Sequence, residues 1–217
     1  MIRPRKIYIV DGNIGSGKST VLKNLAHLGY SVVYEPLDVW EEKYADASGS
    51  LFDKFYADKT KWSFAMQIAV VTSRLRRLEK AIENNTSEIL IVERSIYTDR
   101  NVFAKNLKNL GHLSEIEHKI FEDFFPQCVD LYSTIVDKIE TSHVYLNTST
   151  DVCFQRKERR NRTAESSNAL PPDYMVDLGK LHSEWLLDDE IKQCVRVVDG
   201  NLSEQEVVNQ FLSILQE

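Results

Sequence analysis

The sequence predicts an α/β fold in which a five-stranded parallel sheet is flanked by helices. Short apolar runs, rich in β-branched residues, alternate along the chain with longer segments of helical periodicity, and neighbouring runs are not spaced as hairpins. The five runs are residues 7–10, 31–34, 89–92, 144–146 and 195–198. Strands connected in this way form parallel sheets that are covered by helices on both faces.

The intervals between these strands contain patterns that predict helices. Apolar residues recur at helical spacing through residues 18–28, and Gly29 follows where a helix commonly ends. A long amphipathic helix is predicted over 62–84, and its basic later turns include Arg74. The Ser-Glu-Gln-Glu sequence at 203–206 is a capping box that predicts the start of the last helix. Further helices are predicted over 99–110, 114–137, 150–163 and 173–187, whereas residues 37–61 are predicted to be irregular.

The composition is that of an ordinary globular protein. Of the 217 residues, 42% are hydrophobic and 28% are charged, which suits a single domain over residues 1–217. A net charge of −6 argues against nucleic-acid binding, which requires a broad positive surface. The chain contains no apolar run of the roughly 18 residues that a membrane helix needs. Because a strand-like stretch begins almost at once, we expect no signal or transit peptide. We therefore expect a cytoplasmic protein that binds neither nucleic acid nor membranes.

The cysteines point to the same environment. Cys128, Cys153 and Cys194 are widely spaced and include no CxxC pair. This spacing argues against a zinc ribbon and against a disulfide framework. It indicates an intracellular protein with reduced thiols.

The first turn after a predicted strand carries the clearest functional motif. Residues 12–19 read Gly-Asn-Ile-Gly-Ser-Gly-Lys-Ser and match the phosphate-binding pattern GxxxxGK[ST] between a strand and a helix. Glycines let backbone N–H groups converge on phosphate oxygens, Lys18 can reach the outer phosphates, and Ser19 can ligate Mg²⁺. The motif predicts a P-loop NTPase fold with ATP, or another nucleoside triphosphate, as its ligand. The residues expected to bind it are Gly12, Asn13, Ile14, Gly15, Ser16, Gly17, Lys18, Ser19 and Thr20.

Kinases, GTPases and ATP-driven motors all use such a loop. The chain lacks the guanine-reading motif NKxD, and its third predicted strand ends in Glu93-Arg94 rather than in the aspartate typical of motors. The predicted helix over 150–163 contains four arginines, Arg156, Arg159, Arg160 and Arg162. Arginines near a phosphate loop can stabilise a transferring phosphoryl group, although a charge run can also be a solvated surface.

Several motifs occur together in a characteristic order. They are Gly-Asn-Ile-Gly-Ser-Gly-Lys-Ser-Thr at 12–20, Glu-Pro…Trp at 35–40, Tyr-Ala-Asp…Lys-Trp at 56–62, Glu-Arg-Ser-Ile-Tyr-Thr-Asp-Arg at 93–100, Arg-x₃-Arg-x-Arg-x₂-Glu at 156–165, and Leu-His-Ser-Glu-Trp-Leu at 181–186. With these motifs the chain closely resembles the deoxyribonucleoside kinases, the family of deoxycytidine, deoxyguanosine and mitochondrial thymidine kinases and of the insect multisubstrate enzyme. The resemblance runs from residue 7 to about residue 187.

The resemblance implies transfer of the γ-phosphoryl group of ATP to the 5′-hydroxyl of a deoxynucleoside. Glu35 matches the family's general base, and Arg94 matches the arginine that positions the acceptor and the base. Glu93 matches the carboxylate on the Mg²⁺ side, so the expected metal residues are Ser19 and Glu93. An ion-paired or helix-capping role is the alternative for Glu35.

The resemblance also implies a lid and a partner. Arg156, Arg160 and Arg162 match arginines of a lid over about residues 156–170 that closes on the phosphates, and Arg159 has no such counterpart. Family members are mostly homodimers, and here the segments 62–84 and 114–137 would join the two copies.

Nine residues match the family's nucleoside site, namely Trp40, Tyr56, Met66, Gln67, Val70, Arg74, Asp99, Phe103 and Glu165. Tyr56 and Glu165 match the pair that holds the 3′-hydroxyl, and Gln67 matches the glutamine that pairs with the base edge. Phe103 matches an aromatic that stacks on the base. Packing in the core is the alternative for the aromatic residues of this group.

Arg74 and Asp99 bear on the choice of base. Deoxycytidine and deoxyguanosine kinases have an Arg/Asp pair at these positions, whereas thymidine-accepting relatives have small or apolar residues. The resemblance therefore favours deoxycytidine or a purine deoxynucleoside over thymidine, provided that Arg74 is not simply an exposed helix residue.

The chain departs from the family pattern at four positions, Asp11, Phe55, Met66 and Val70. Met66 replaces a stacking aromatic, which would make the pocket more adaptable. Two alternative functions remain open at this point. One is a nucleoside monophosphate kinase of the thymidylate type, and the other is a nucleotide-binding switch without an acceptor.

Overall fold

The computed structural model describes residues 2–160 and 169–216. Its strands are β1 (Lys6–Asp11), β2 (Ser31–Val33), β3 (Ala45–Asp46), β4 (Gly49–Ser50), β5 (Ile89–Glu93), β6 (Glu140–Asn147) and β7 (Val195–Asp199). Its α-helices are α1 (Lys18–His27), α2 (Leu51–Ala57), α3 (Lys59–Glu83), α4 (Ile96–Thr98), α5 (Lys105–Asn109), α6 (Glu115–Ile135), α7 (Thr150–Arg160), α8 (Pro172–Leu186) and α9 (Glu204–Leu215).

Five of the strands form one parallel sheet in the order β2-β5-β1-β6-β7. The predicted α/β fold with a five-stranded parallel sheet is confirmed, and it is the P-loop NTPase arrangement. β1 occupies the centre of the sheet, and the phosphate loop follows it directly. Ligands of such sheets bind beyond the carboxyl ends of the strands, near the point where the strand order reverses.

The strand register brings three sequence motifs to the same edge. Val10 at the end of β1 pairs with Glu93 at the end of β5, and Val33 at the end of β2 pairs with Val92. The phosphate loop and the segments that begin with Tyr34 and Arg94 therefore leave the sheet side by side. Polar residues from distant parts of the sequence meet at this edge.

Side chains alternate between two cores along the central strands, as the twofold periodicity of a strand requires. Ile7 and Ile9 of β1 pack into the larger core, which includes residues of α3 and α6 such as Val71 and Phe121. Tyr8 and Val10 point to the other face, into a core that α1 and α9 complete. Each helical layer thus covers one face of the sheet.

The prediction that residues 37–61 are irregular is wrong in part. A wide helical turn of the π type spans Val39–Lys43, β3 and β4 form a short antiparallel hairpin, and α2 follows. Each of these elements is too short for its periodicity to stand out in the sequence. α2 is stabilised instead by packing of its apolar side chains and by Ser50, whose hydroxyl accepts a hydrogen bond from the Asp53 N–H.

Two other predicted helices begin earlier in the structure. The helix predicted over 62–84 begins at Lys59, because the Asp58 side chain caps it by accepting from the Lys61 N–H. The segment predicted over 99–110 begins at Ile96, after a capping interaction between Ser95 and Thr98, and it widens into a π turn over Asp99–Ala104. The helix predicted over 150–163 is described as far as Arg160.

No helix in the described part of the chain is both long enough and apolar enough to cross a lipid bilayer.

The predicted capping box at α9 is confirmed and provides a test of the fold. Ser203 accepts a hydrogen bond from the Glu206 N–H, and the Glu206 side chain accepts one from the Ser203 N–H. We expect Ser203→Ala to lower the free energy of unfolding by about 1 kcal/mol. Ser213→Ala, on the same helix but away from its N-terminus, should change it by less than about 0.5 kcal/mol. Urea unfolding of both variants measures the difference, and equal losses would contradict the capping role.

Candidate active site

The phosphate loop borders a large open cavity at the carboxyl edge of the sheet. The cavity has a volume of about 460 Å³. The loop residues that line it are Ile14, Gly15, Ser16, Gly17, Lys18, Ser19 and Thr20. Gly12 and Asn13 do not line this cavity. The Asn13 side chain supports the loop, since its amide donates to the Met175 carbonyl of α8 over 2.8 Å and accepts from the Ile14 N–H.

Lys18 is held by the loop that it follows. Its ammonium donates to the carbonyls of Gly12 at 3.0 Å and Asn13 at 2.8 Å, and the residue is 4% exposed. Burial, together with the nearby charge of Arg94, lowers the pKa of Lys18 to about 8. The lysine is therefore placed for phosphate binding, and an anionic ligand would restore its preference for the charged form.

A close approach between the loop and α7 brings arginines to this cavity. Gly15 has φ +78°, and a Cβ atom there would lie 2.2 Å from the Cys153 carbonyl oxygen, so only glycine fits. One turn further along α7, Arg156 donates to the carbonyls of Ser16 and Gly200 at 3.0 and 2.9 Å. The arginines of α7 that line the cavity are Arg156, Arg159 and Arg160.

Two oxygen ligands suitable for a divalent cation meet beside the loop. The Ser19 hydroxyl donates to Glu93 Oε1 over 2.9 Å, and both residues line the cavity. A hydroxyl and a carboxylate fit Mg²⁺, which is usually held by one or two protein oxygens together with phosphates and water. Within residues 2–160 and 169–216, there is no cluster of three histidine, cysteine or acidic side chains that could hold a metal without such help.

Glu35 lies between two buried arginines. Its Oε1 atom accepts hydrogen bonds from Arg94 Nη1 at 2.7 Å and from Arg74 Nη2 at 3.1 Å. Burial favours the neutral acid, but the charges of Arg94 and Arg74 outweigh it and hold the pKa of Glu35 far below its ordinary value. Glu35 is therefore a carboxylate at all working pH values.

Arg74 connects Glu35 to Asp99. Arg74 Nε and Nη2 donate to the two Asp99 oxygens at 2.8 and 3.1 Å, and Nη1 donates to the Glu93 carbonyl at 2.8 Å. Arg74 is 5% exposed and Asp99 is 1% exposed. The alternative of an exposed helix arginine is therefore wrong. Such a forked pair fixes the orientation of both side chains.

Arg94 adopts a backbone conformation that is unusual for a non-glycine residue. Its φ is +61°, at the point where the chain leaves β5. In this conformation the guanidinium contacts Glu35, donates to the Gly12 carbonyl at 3.1 Å and lies 4.8 Å from the centre of the Phe103 ring. Strained residues of this kind are typical of functional sites.

A second, smaller cavity of about 70 Å³ lies on the other side of Glu35 and Arg94. Trp40 forms part of its wall and donates to the Ser73 hydroxyl over 2.9 Å, while the buried Gln67 Oε1 has no hydrogen-bond partner among the described residues. The cavity is lined by Ile14, Glu35, Leu37, Trp40, Phe52, Phe55, Tyr56, Met66, Gln67, Val70, Arg74, Arg94, Asp99 and Phe103.

Asp11 stabilises the turn that follows β5. This fully buried carboxylate accepts from the Thr98 hydroxyl at 2.5 Å and lies 2.6 Å from His143 Nδ1. It connects the end of β1 to α4 and to β6. Asp11 thus has a supporting role at the carboxyl edge of the sheet.

The structure brings most of the predicted site residues together. Of the nine predicted nucleoside-site residues, the eight that it describes all line the second cavity. Arg162 and Glu165 lie outside the described residues. The lid predicted over 156–170 is likewise described only at its two ends.

Sequence analysis missed several residues that line the cavities. Arg159, Leu202 and Glu204 line the larger cavity, and Leu37 and Phe52 line the smaller one. Leu37 follows the end of β2, and Leu202 follows the end of β7. The rule that ligands bind at the carboxyl ends of strands could have identified both positions. No comparable rule pointed to Phe52, since the helix that carries it, α2, was not predicted.

The fold, the phosphate loop and the adjoining second cavity define a phosphate-loop kinase. A family model described as deoxynucleoside kinase matches residues 8–216, and the chain therefore belongs to the deoxynucleoside kinase family. It is a phosphotransferase with a nucleoside triphosphate as donor and a small nucleoside as acceptor. This membership favours a nucleoside kinase over both the switch without an acceptor and the thymidylate-type kinase.

Individual relatives cover most of the chain. A probable deoxycytidine kinase of fowlpox virus is 30% identical over 204 residues, which are 93% of this chain and 81% of the viral protein. Deoxycytidine kinase 2 of chicken is 30% identical over 93% of this chain and 80% of its own length. Human mitochondrial thymidine kinase 2 is 29% identical over 84% of this chain, and the match spans 65% of the human protein.

The lowered pKa of Lys18 predicts the pH dependence of triphosphate capture. Lys18 is charged below about pH 8 and neutral above it, and the neutral amine binds phosphate poorly. We therefore expect kcat/KM for the triphosphate, which reflects the free enzyme, to fall as the pH rises above about 8. Because bound phosphates favour the ammonium, kcat at saturating triphosphate should stay level over the same interval. Steady-state kinetics between about pH 7 and pH 9.5 measure both, and a level kcat/KM would contradict this role of Lys18.

Proposed function

We propose that this protein transfers the γ-phosphoryl group of ATP to the 5′-hydroxyl of deoxycytidine or of a purine deoxynucleoside. The observation that carries the proposal is the meeting of the two cavities at Glu35 and Arg94, which line both. A donor bound along the phosphate loop and an acceptor in the smaller cavity would have their reacting groups at this boundary. Positioning of this kind is the main contribution of an enzyme to phosphoryl transfer.

Glu35 is suited to orient the acceptor hydroxyl and to receive its proton. Both arginines bond to Oε1, and the described residues provide no hydrogen bond to Oε2, which leaves that atom for the hydroxyl. A carboxylate with so low a pKa is a weak base. Proton transfer to Glu35 would therefore come late, after the bond between the γ-phosphorus and the leaving nucleoside diphosphate has largely broken. This order suits a loose transition state.

The donor side supplies positive charge. Lys18 and the α7 arginines Arg156 and Arg160 line the larger cavity, where they can stabilise the phosphates. We assign the same role to Arg162 from the sequence motif alone. Ser19 and Glu93 would hold a Mg²⁺ ion, which would neutralise part of the charge of the triphosphate. Arg94 can contact the transferring group from the acceptor side.

The base end of the smaller cavity supports the choice of an amino-bearing base. A carboxylate only accepts hydrogen bonds, so Asp99 can pair with an exocyclic amino group and repels a carbonyl at the same place. Gln67 Oε1 offers a second acceptor, and its amide N–H₂ can donate to a ring nitrogen. Because Arg74 fixes Asp99 through two hydrogen bonds, the carboxylate cannot turn away from a thymine carbonyl.

Tyr56 and Glu165 are the residues that we assign to the 3′-hydroxyl of the sugar. Tyr56 lines the smaller cavity and packs edge-on against Phe52 and Phe55 at 4.9 and 5.0 Å. Phe103, held against Arg94, provides the stacking surface for the base. The names of the relatives include both deoxycytidine and thymidine kinases, so the choice of base rests on Asp99 and Arg74.

Measurement of ADP release with different acceptors tests this function. The panel contains ATP and Mg²⁺ with deoxycytidine, deoxyadenosine, deoxyguanosine, thymidine, thymidylate or no acceptor. We expect turnover with amino-bearing deoxynucleosides and a kcat/KM for thymidine that is lower by about tenfold or more. The reason is that a site built for an amino group leaves its own polar groups unpaired when thymine is bound. Glu35→Gln should lower kcat by about 10²–10⁴ in every productive reaction.

Each result of the panel has a separate meaning. Thymidine as the best acceptor would contradict the role of Asp99 and leave the kinase activity intact. Turnover that is unchanged without an acceptor, or that requires thymidylate, would contradict the proposed reaction itself.

We also infer that two copies of the chain associate through α6, together with α3. An exposed apolar stripe on α6 supports this: Ile116, Ile120 and Leu131 are 71%, 49% and 47% exposed and lie on one side of the helix. We expect a dimer by size-exclusion chromatography with light scattering, and Ile120→Glu should shift it toward the monomer. Leu28→Glu, at an exposed position on the end of α1, is the matched control. A monomeric unmodified protein would contradict the inference.

A further inference from the structure

Lys59 lies in a cage of three aromatic rings at the start of α3. Its ammonium is 5.9 Å from the centre of the Phe55 ring, 5.4 Å from that of Tyr56 and 5.5 Å from that of Tyr174. A cation near the face of an aromatic ring is attracted by the ring electrons, and the attraction grows as water is excluded. Lys59 is half-buried, and burial lowers its pKa.

The same ammonium also makes a hydrogen bond. Lys59 Nζ donates to the Ala169 carbonyl over 2.5 Å, directly before α8 begins. The lysine thus replaces part of its lost hydration with a carbonyl and three ring faces. A methylene chain alone could make neither this hydrogen bond nor the cation–ring contacts.

The ring residues belong to elements with different tasks. Phe55 and Tyr56 of α2 line the smaller cavity, which we assign to the nucleoside and call the nucleoside cavity below. Tyr174 belongs to α8. α8 is joined to the phosphate loop by the hydrogen bond between Asn13 and the Met175 carbonyl. Lys59 therefore connects the wall of the nucleoside cavity to the helix that supports the phosphate loop.

α2 is held by the burial of Leu51, Phe52 and Phe55, and Lys59 contacts the C-terminal end of this helix. The helix has seven residues, less than two full helical turns, and is too short to be stable by itself. Tyr56 is its penultimate residue and lies where the helix ends. A contact that holds this end would fix the direction of the tyrosine side chain.

We propose that Lys59 is a positioning residue that holds Tyr56 in the orientation required for the sugar of the acceptor. This inference rests on the proposed function, since it deepens the description of the same nucleoside site. Lys59 itself does not line either cavity, and it acts through the Tyr56 ring. Its removal should weaken nucleoside binding more than triphosphate binding.

Lys59→Met tests the proposal, because methionine keeps the length and the apolar stem of the side chain but removes the charge and the donor. We expect KM for the deoxynucleoside to rise about tenfold, as the loss of ring contacts and one hydrogen bond implies. KM for ATP should stay within about twofold. Lys59→Arg, which keeps both charge and donors, should restore most of the nucleoside affinity.

Lys61→Met is the matched control. Lys61 lies on the same turn of α3, is exposed and contacts the Trp62 ring at 5.4 Å. Neither Lys61 nor Trp62 is among the described residues that line the two cavities. Its replacement should leave both KM values unchanged. An equal rise of KM in both variants would overturn the assignment to Lys59.

A double-mutant cycle with Tyr56→Phe separates positioning from general packing. Phenylalanine keeps the ring in the cage and removes the hydroxyl that contacts the sugar. If Lys59 acts by placing that hydroxyl, Lys59→Met should raise KM by less than about twofold in the Tyr56→Phe background. A full tenfold rise in both backgrounds would overturn the proposal.

The outcomes separate this inference from the proposed function. Unmodified protein that shows no nucleoside-dependent turnover contradicts both. Normal turnover with unchanged KM in Lys59→Met contradicts the positioning role alone, as does an equal rise of the KM values for nucleoside and ATP. If thermal melting shows that Lys59→Met does not fold, Lys59→Gln takes its place. A nucleoside KM of Lys59→Gln within about twofold of the unmodified value then overturns the proposal in the same way.

Discussion

The ion pairs of Glu35 with Arg94 and Arg74 are the interaction on which the rest of the site depends. Around them, in the described part of the chain, lie three buried cations, Lys18, Arg74 and Arg94, and three anions, Glu35, Glu93 and Asp99. An unpaired charge at this depth would be strongly destabilising, whereas a balanced and hydrogen-bonded set is tolerated. The balance explains why these side chains hold fixed orientations before any ligand arrives.

The same interaction constrains the backbone around it. Arg94 reaches Glu35 and the Gly12 carbonyl because the chain turns in a left-handed conformation directly after β5. Arg74 must sit at the point of α3 that faces this turn, and its hydrogen bond to the Glu93 carbonyl fixes the helix against the strand end. Three segments that are far apart in sequence are thereby held at one edge of the sheet. The two cavities share a rigid boundary for this reason.

The sequence predicted the parts that depend on local patterns. The five strands, the phosphate loop and the capping box of α9 each carry their signal within a few residues, and the structure confirms all of them. The burial of Arg74 could not be read in this way, because its basic neighbours on α3 give the helix the pattern of a solvated face. α2 was missed since it is held by tertiary packing and is too short to show periodicity. Leu202 and Glu204 reach the larger cavity only through the arrangement of the sheet.

The small volume of the nucleoside cavity has a consequence for kinetics. At about 70 Å³ it is far below the roughly 300 Å³ at the lower end of small-molecule sites. A nucleoside can therefore enter this cavity only when the side chains that line it rearrange. Apparent affinity then equals the intrinsic affinity multiplied by the fraction of molecules that are open. Each acceptor must offset the free energy of opening through its own contacts with the cavity. Selectivity among acceptors then depends on how favourable those contacts are.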